Sequence, residues 1–502
     1  MIRSSHTIPK EVLETVGKLR DNNFEAYLVG GCVRDFLLGA KPKDWDITTN
    51  ARPEEIQKIF PDSFYENEYG TVGVKTAALL GEPRPQSGRE DETLKVVEVT
   101  PYRLEEKYSD KRHPDQVSFT KNLEDDLRRR DFTINALALS VVEGRASKII
   151  DKFGGEADLK KKIIRAVGNP AQRFREDALR LMRAVRFAVE LGFGIEPETE
   201  QAVKKLAGEL KFISKERIRD EFVKILESDR AAAGIEKLRE LGLLKEFLPE
   251  LLEGVGTGQN LHHIYTVWEH NVKALEYAAR KKYSLEVRLA SLLHDVAKPR
   301  AKRGEGKYST FYGHDVLGAK MAAKILERLR FPKDFSEKVI RLIRWHLFYY
   351  NVGEVTASSV RRVLRNVGPD LIEDLIRVRE ADRIGSGVPK AVPYKLRHFK
   401  FMVEKVQKDP ISVGMLKMRG DEVMKILGIE PGPKVGMALS ALLEEVLENP
   451  SKNEPEYLEG RVRELGKLSE KELRGLAERG KEKKEETERA KERELKEKYW
   501  VA

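Results

Sequence analysis

The 502-residue chain holds a single cysteine, Cys32, which excludes an internal disulfide and any cysteine-based zinc site. No run of 18 apolar residues occurs, so no segment reads as a membrane-crossing helix. The opening Met1-Ile2-Arg3-Ser4-Ser5-His6 has no apolar stretch of the kind that heads a secreted chain. These absences point to a reduced, cytoplasmic protein with no membrane partner. What is present fits packed domains. Hydrophobic residues make up 40%, so disorder throughout is excluded, and charged residues make up 35%, above the usual level of about 25%. At roughly 150 residues per domain, the length suggests three or four domains. The net charge is +10. Residues 481–500 carry eight Lys/Arg and seven Glu, so the basic surplus lies in the folded part. Such a balance favours a polyanion, most often nucleic acid.

The first 150 or so residues read as mixed α/β. FEAYLV at 24–29 is a short strand, followed by Gly30-Gly31 and a helical CVRDFLL. WDITT (45–49), TVGVKTA (71–77) and LKVVEVT (94–100) read as further strands, and residues 81–93 as a polar surface loop. From about 156 the pattern is helical almost to the end, without a repeat of fixed period. The tail from about 467 is a Glu/Lys/Arg run. Its pairs Glu485–Arg489, Glu492–Lys496 and Glu494–Lys498 suit a solvated helix.

Three constellations carry chemistry. The first begins with Asp44-Trp45-Asp46. On a strand, residues i and i+2 share a face, so two carboxylates converge as two-metal phosphoryl transfer requires. Upstream, Gly30-Gly31 stands between a strand and a helix. A glycine pair there lets backbone approach phosphate at a helix N-terminus, and Arg34 adds a forked donor set. Downstream, Arg128-Arg129-Arg130 leads into the apolar FTINA segment, where one arginine can reach phosphate or ribose and Asp131 can orient it.

The second constellation is 175–186, REDALRLMRAVR, read as one helix. Asp177 and Arg180 are then i,i+3 neighbours, with Arg183 and Arg186 continuing at the same step and Leu179, Met182 and Val185 forming the apolar stripe. An acceptor beside a forked donor can bond the Watson–Crick edge of a base. Cytosine and adenine both present an exocyclic amino donor beside a ring-nitrogen acceptor, so one pair can accept both without a nucleic-acid template.

The third is a histidine set. Six of nine histidines fall between His262 and His346. His270, His294-Asp295, His314, His346 and Asp382 run in the order His…His-Asp…His…His…Asp, each in a helical context. Imidazoles and carboxylates from several helices suit one or two divalent metals that activate water against a phosphoester. His262 and His263 lie outside the pattern and read as loop residues. This order resembles the HD phosphohydrolase domain.

The ordered set LVGGCVRD, DWD, RRRDFTINA, REDALRLMRAVRF and SKERIRDEFVKIL, over roughly residues 24–230, resembles the bacterial-type (class II) tRNA nucleotidyltransferase and poly(A) polymerase family, and above all its CCA-adding members. A subset of that family carries an HD domain. The resemblance implies an α+β protein: a polymerase-β-like head of mixed sheet and helices, followed by an all-α body that includes the HD domain. It divides the chain into a head (1–150), a helical neck (151–255), an HD domain (256–390), a tRNA-binding helical segment (391–466) and the charged tail (467–502). Asp44 and Asp46 would hold Mg²⁺, with Glu98 placed where a third acid could join. Gly30, Gly31, Arg34 and Arg130 would bind the triphosphate and ribose. Asp177 and Arg180 would select the base, with Arg183 and Arg186 neutralising phosphate. Residues 101–121 resemble the family's flexible loop, with Tyr102-Arg103 and Arg112-His113-Pro114 retained. That loop is shortened in CC-only members, so its presence weighs against CC-only addition. Lys395, Arg397, His398 and Lys400 would position tRNA phosphates. The HD site would hold a second divalent metal whose identity the sequence leaves open.

The implied function is template-independent addition of CCA to the tRNA 3′ end from CTP and ATP, with a phosphohydrolase activity at the HD site. Two alternatives stay open. One is A-only addition, as a poly(A) polymerase or A-adding enzyme. The other is a protein that is chiefly an HD phosphohydrolase with an RNA-binding head.

Overall fold

The computed structural model describes residues 7–66, 70–76, 96–106, 116–260, 264–407, 416–448, 450–469, 472–476 and 492–501. Arg112-His113-Pro114, His262, His263, the loop 81–93 and the pair Glu485–Arg489 lie outside the described residues. Contacts divide the chain into two compact units, one of residues 1–346 with 377–388, the other of 347–376 with 389–502.

The first unit opens with a sheet built from short alternating segments. Its strands are β1 (Ala26–Val29), β2 (Asp46–Thr49), β3 (Ser63–Tyr65), β4 (Val72–Lys75), β5 (Val96–Pro101), β8 (Leu137–Val142) and β9 (Arg145–Asp151), while β6 (Arg103–Glu106) and β7 (Gln116–Phe119) form a separate antiparallel pair. The order is β3-β4-β5-β2-β1-β8-β9, antiparallel except for β2 beside β5. Alternation sets the faces. In β5, Val97 and Val99 are buried while Glu98 between them is exposed. Helix Lys10–Asp21 buries Val12, Val16 and Leu19 beneath the sheet. The head is thus a mixed sheet with helices, as the sequence implies.

Beyond the head the described residues of the first unit are mainly helical, with a short parallel pair, β10 (Ile163–Ile164) with β11 (Gly194–Ile195), and an isolated bridge between Arg303 and Thr310. Residues 175–186 do not form one helix. Helix Pro170–Glu176 ends at Asp177, which is extended (φ −137°, ψ 105°), and helix Leu179–Leu191 begins two residues later. The Asp177 carboxylate accepts from the Leu179 N–H at 3.0 Å, so the side chain caps the second helix instead of continuing the first. The apolar stripe survives, because Leu179, Met182 and Val185 are buried within the second helix.

Helices Val267–Arg280, Leu285–Leu293, His314–Arg328, Lys333–Trp345 and Ile372–Gly385 carry the histidine set. Thr266 and Glu269 form a capping box at the start of the first, and Ser284 caps the second. Close packing is made possible at Gly385, where a Cβ would stand 2.7 Å from the His270 carbonyl oxygen. In the second unit, helices Gly420–Leu427, Pro433–Glu448 and Pro455–Leu465 enclose a core that includes Val423, Leu442, Val446, Leu458 and Val462. The end of the chain is not simply solvated. Leu495 and Val501 pack on Phe401, and Lys498 pairs with Glu404 at 2.7 Å instead of with Glu494. Glu492–Lys496 is present at 3.6 Å.

Two candidate functional sites

The head site forms where β1 hands over to helix Gly31–Leu37. Gly30 has φ +83°, a conformation that strains any side chain. A Cβ there would lie 3.0 Å from Arg130 Nη1 and 3.5 Å from Asp46 Oδ2. The bare backbone of Gly30, the Arg130 guanidinium and the Asp46 carboxylate therefore converge on one spot. Asp46 starts β2 and Asp44 lies two residues before it in a bend, so the two are not held on one strand as the sequence reading expects. Asp46 and Glu98 are register partners on adjacent parallel strands. Burial pushes the Asp46 carboxyl up, Arg130 opposes this and Asp44 adds to it. Burial also raises Glu98, with Asp46, Glu66 and Asp44 adding repulsion. Clustered carboxylates that repel one another gain most from a divalent cation, so the donor set fits one.

The cations of this region are held by internal carboxylates. Arg129 and Arg130 pair with the buried Asp126 at 2.7 and 3.3 Å. Asp131 does not orient them. It accepts from Arg183 Nε at 2.7 Å and from the Asn135 amide at 3.1 Å. Burial would lift the Asp131 carboxyl, but Arg183 and Asn135 hold it well below the usual range. Arg34 donates to Asp35 and Asn135, each at 2.8 Å, while its guanidinium lies 5.1 Å from the Phe187 ring. Gly31 leaves a Cβ-sized gap 3.7 Å from Arg34.

The expected Asp177–Arg180 neighbour pair is not formed. Asp177 takes two hydrogen bonds from Arg217, at 2.9 and 3.3 Å. Arg180 donates to Glu176 at 2.8 Å and to the carbonyls of Arg173 and Arg129. The physical reason is the break at Asp177, which takes that residue off the helix bearing Arg180. Arg186 is likewise engaged, 2.8 Å from Glu221 and over the Phe187 ring at 4.1 Å. Arg217 and Glu221 stand one turn apart in helix Lys215–Glu227. The sequence offered them in SKERIRDE, but nothing local said what they would grip.

The histidine set converges completely. His270 Nε2 lies 2.8 Å from His294 Nε2, 3.1 Å from Asp295 Oδ2 and 3.3 Å from Asp382 Oδ1. His314 Nε2 lies 3.2 Å and His346 Nε2 3.7 Å from Asp295 Oδ1. All six residues are buried. His294 and His346 stand just past the last turns of their helices, and His314 opens its own. The Nδ1 atoms of His294, His314 and His346 hydrogen-bond the carbonyls of Ser291, Phe311 and Ile343 at 2.6–2.8 Å. That leaves each Nε2 facing the centre as a lone pair, the arrangement metal-binding imidazoles use.

Two further observations fit a divalent metal here. His314 Nε2 and Asp295 Oδ1 face each other in the interior without a hydrogen bond. Burial would push His294 down, yet Asp295 and Asp382 draw it up to about 10, so the carboxylates give the centre a negative charge that favours a cation. His346 is pushed down to about 3 by burial and by His294, and is neutral. Two groups were missed from sequence. Lys298, buried, places Nζ 2.6 Å from Asp295 Oδ2 and 2.7 Å from Gln259 Oε1. Arg379 donates to Asp382 at 2.5 Å. Lys298 stands one helical turn after His294-Asp295, which is the signal that could have found it.

The basic run of the second unit is partly spent on packing. His398 Nδ1 lies 2.6 Å from the Tyr350 hydroxyl, and Lys395 donates to Asn351 at 2.5 Å. Tyr102, at the root of β6, is buried and donates to Glu25 at 3.0 Å.

Comparisons with known proteins cover both sites. Family models match at residues 26–165 (Poly A polymerase head domain), 192–254 (Probable RNA and SrmB-binding site of polymerase A) and 267–386 (HD domain). The A-adding tRNA nucleotidyltransferase of Deinococcus radiodurans is 37% identical, covering 84% of this chain and 91% of the relative. The CC-adding tRNA nucleotidyltransferase of Thermus thermophilus is 34% identical over 84% and 89%. Among solved structures, the Bacillus stearothermophilus CCA-adding enzyme in complex with CTP is similar at 28% identity and a TM-score of 0.54, covering 91% of this chain and 98% of that one.

Proposed function

The chain belongs to the tRNA nucleotidyltransferase and poly(A) polymerase family, in its HD-bearing form, and from that premise we propose that it adds C, C and A to the 3′ end of tRNA without a nucleic-acid template. The observation that carries the chemistry is the convergence of Asp46, Arg130 and the bare Gly30 backbone, with Glu98 in register beside Asp46. Mg²⁺ held by Asp44 and Asp46, with Glu98 adjoining, would supply charge neutralisation and a lowered hydroxyl pKa. The tRNA 3′ hydroxyl loses its proton and bonds to the α-phosphorus of CTP or ATP. The bond to the β-phosphate bridging oxygen breaks, and pyrophosphate leaves. Gly30 and Gly31 admit the triphosphate against backbone N–H groups, and Arg34 and Arg130 oppose its charge. Asp177 and Arg180 select the base. Asp177 is bonded by Arg217 and Arg180 by Glu176, so an incoming C or A takes over those bonds. Arg183 and Arg186 hold the neck through Asp131 and Glu221, and set the local positive field.

A single-nucleotide extension assay tests this reading. Transcripts ending at the discriminator base, at C and at CC are offered CTP, ATP, GTP and UTP. Two C additions followed by one A are expected. Addition of A alone to the CC-ending transcript replaces the proposal with A-adding activity, and long A tails replace it with poly(A) polymerase activity.

The closed histidine cluster favours a second activity, hydrolysis of phosphate esters at RNA 3′ ends. His270, His294, Asp295, His314, His346 and Asp382 would hold the metal, which supplies a water nucleophile at neutral pH. Water bonds to phosphorus, the P–O bond to the ribose breaks, and the ribose oxygen leaves with a proton.

A further inference from the structure

One row of register partners crosses the head sheet. Phe64 in β3 pairs with Gly73 in β4, Gly73 with Glu98 in β5, and Glu98 with Asp46 in β2. Residues directly opposite one another share a face, so this row lies on the face that bears Asp46 and Glu98. The adjoining row, Val72, Val99 and Ile47, is buried on the other face. Tyr65 follows that second row, its hydroxyl bonding Glu54 of helix Pro53–Ile59 at 3.2 Å. Gly73 leaves bare backbone in the first row. A Cβ there would stand 2.7 Å from Phe64 Cζ and 2.9 Å from Glu66 Oε2, so the phenyl ring folds over the glycine. Gly73 is buried beneath it, while Phe64 keeps 38% of its surface exposed. The two directions along the row differ in charge. Toward β1 lie Gly30 and Arg130, with Arg180 bonded to the neighbouring Arg129 carbonyl. Toward β3 lie Glu98, Glu66 and the ring, a surface that repels phosphate and suits a flat apolar group.

We propose that Phe64 is the stacking platform for the last base of the tRNA acceptor end, and that it sets the 3′ hydroxyl against the α-phosphate at Asp46 and Glu98. This rests on the nucleotidyl-transfer reading of the head. In that reaction the attacking and leaving oxygens are roughly in line. With the triphosphate on the Gly30 and Arg130 side, the acceptor enters from the β3 side. Strands about 4.8 Å apart put Gly73 roughly 10 Å from Asp46, a distance one nucleoside spans. A phenyl face stacks any base. That suits an acceptor whose last base changes as it grows, from the discriminator base to C and again to C, while Asp177 and Arg180 choose the incoming base.

The test uses the full chain and a tRNA transcript that ends in 5-iodouridine at the discriminator position. Irradiation without CTP or ATP should attach it to the tryptic peptide 59–75, which contains Phe64. The adduct should disappear in Phe64→Ala and persist in Phe64→Tyr. With unmodified transcripts, Phe64→Ala should raise the KM for tRNA on the order of tenfold, alike for acceptors ending at the discriminator base, at C and at CC. It should leave the KM for CTP and ATP at wild-type values, which also shows a folded head, and Phe64→Tyr should restore the KM for tRNA. No adduct on that peptide, or an unchanged KM for tRNA, overturns the platform. A KM for CTP and ATP that rises together with that for tRNA overturns it too, because the ring then only supports the head. An adduct on a chain that incorporates neither nucleotide keeps the platform and removes the transfer reading. Incorporation without an adduct does the reverse.

Discussion

The head and the HD cluster are both acid-rich centres in one compact unit, yet they solve charge in opposite ways. In the head, carboxylates gather at a strand entrance. Asp44 and Glu98 are exposed, and no imidazole takes part among the described residues. In the HD cluster, four imidazoles and two carboxylates are buried together. Hard oxygen donors at an open edge suit a hydrated, oxygen-loving cation shared with a triphosphate, whereas nitrogen and oxygen donors in a closed cage suit a firmly held transition metal. The head's cations already have internal partners, Asp126 for Arg129 and Arg130, and Asp131 for Arg183.

The sharpest break of this contrast is Asp46→Ala. It should lower CTP incorporation on the order of a thousandfold while the metal content of the HD cluster, read by elemental analysis, stays unchanged. Loss of both would mean that the two centres are one system. Next, His294→Ala should lower cluster metal affinity by about a hundredfold or more, read by titration of the metal-stripped protein, with nucleotide incorporation near wild type.

A third expectation concerns Asp131→Asn, which strands the Arg183 guanidinium. Because Arg183 is partly exposed, the cost should be about 2 kcal/mol at pH 7. The Asp131 carboxyl is depressed in the folded chain, so the stability it contributes is fully present above its unfolded value near 4. It is lost as pH falls toward its folded value. Urea midpoints of the two proteins should therefore converge as pH drops from 5 toward 2, and a constant gap would refute the assignment. Smallest in size is Asp177→Ala. It should raise GTP and UTP use relative to CTP and ATP by about tenfold before turnover fails. Unchanged selectivity in a full nucleotide panel would remove Asp177 from base choice.

Much of this is legible in the sequence. The period-two strands of the head, the Gly30-Gly31 turn and the ordered His…His-Asp…His…His…Asp set all depend on local pattern and spacing. The break at Asp177 was not legible. The apolar stripe of Leu179, Met182 and Val185 runs on smoothly, and a capping aspartate looks like any helical acid. Arg217, 40 residues further on, carries no local mark of its partner. Lys298 and Arg379 hid for a milder reason: each is one turn from a recognised ligand, but only the carboxylate it meets in the folded chain distinguishes it from a surface cation.

By itself, then, the sequence determined which side chains are available and which local elements carry them, because backbone propensity and hydrophobic period act over a few residues. The tertiary structure alone decided who pairs with whom: Asp177 with Arg217 and not Arg180, Asp131 with Arg183 and not its own arginine run, Asp295 with Lys298 at the centre of four imidazoles. For Asp177 and Asp131 those choices turn on distances of about 3 Å between groups 40 or more residues apart, and for Asp295 on the burial that makes an unpaired charge costly.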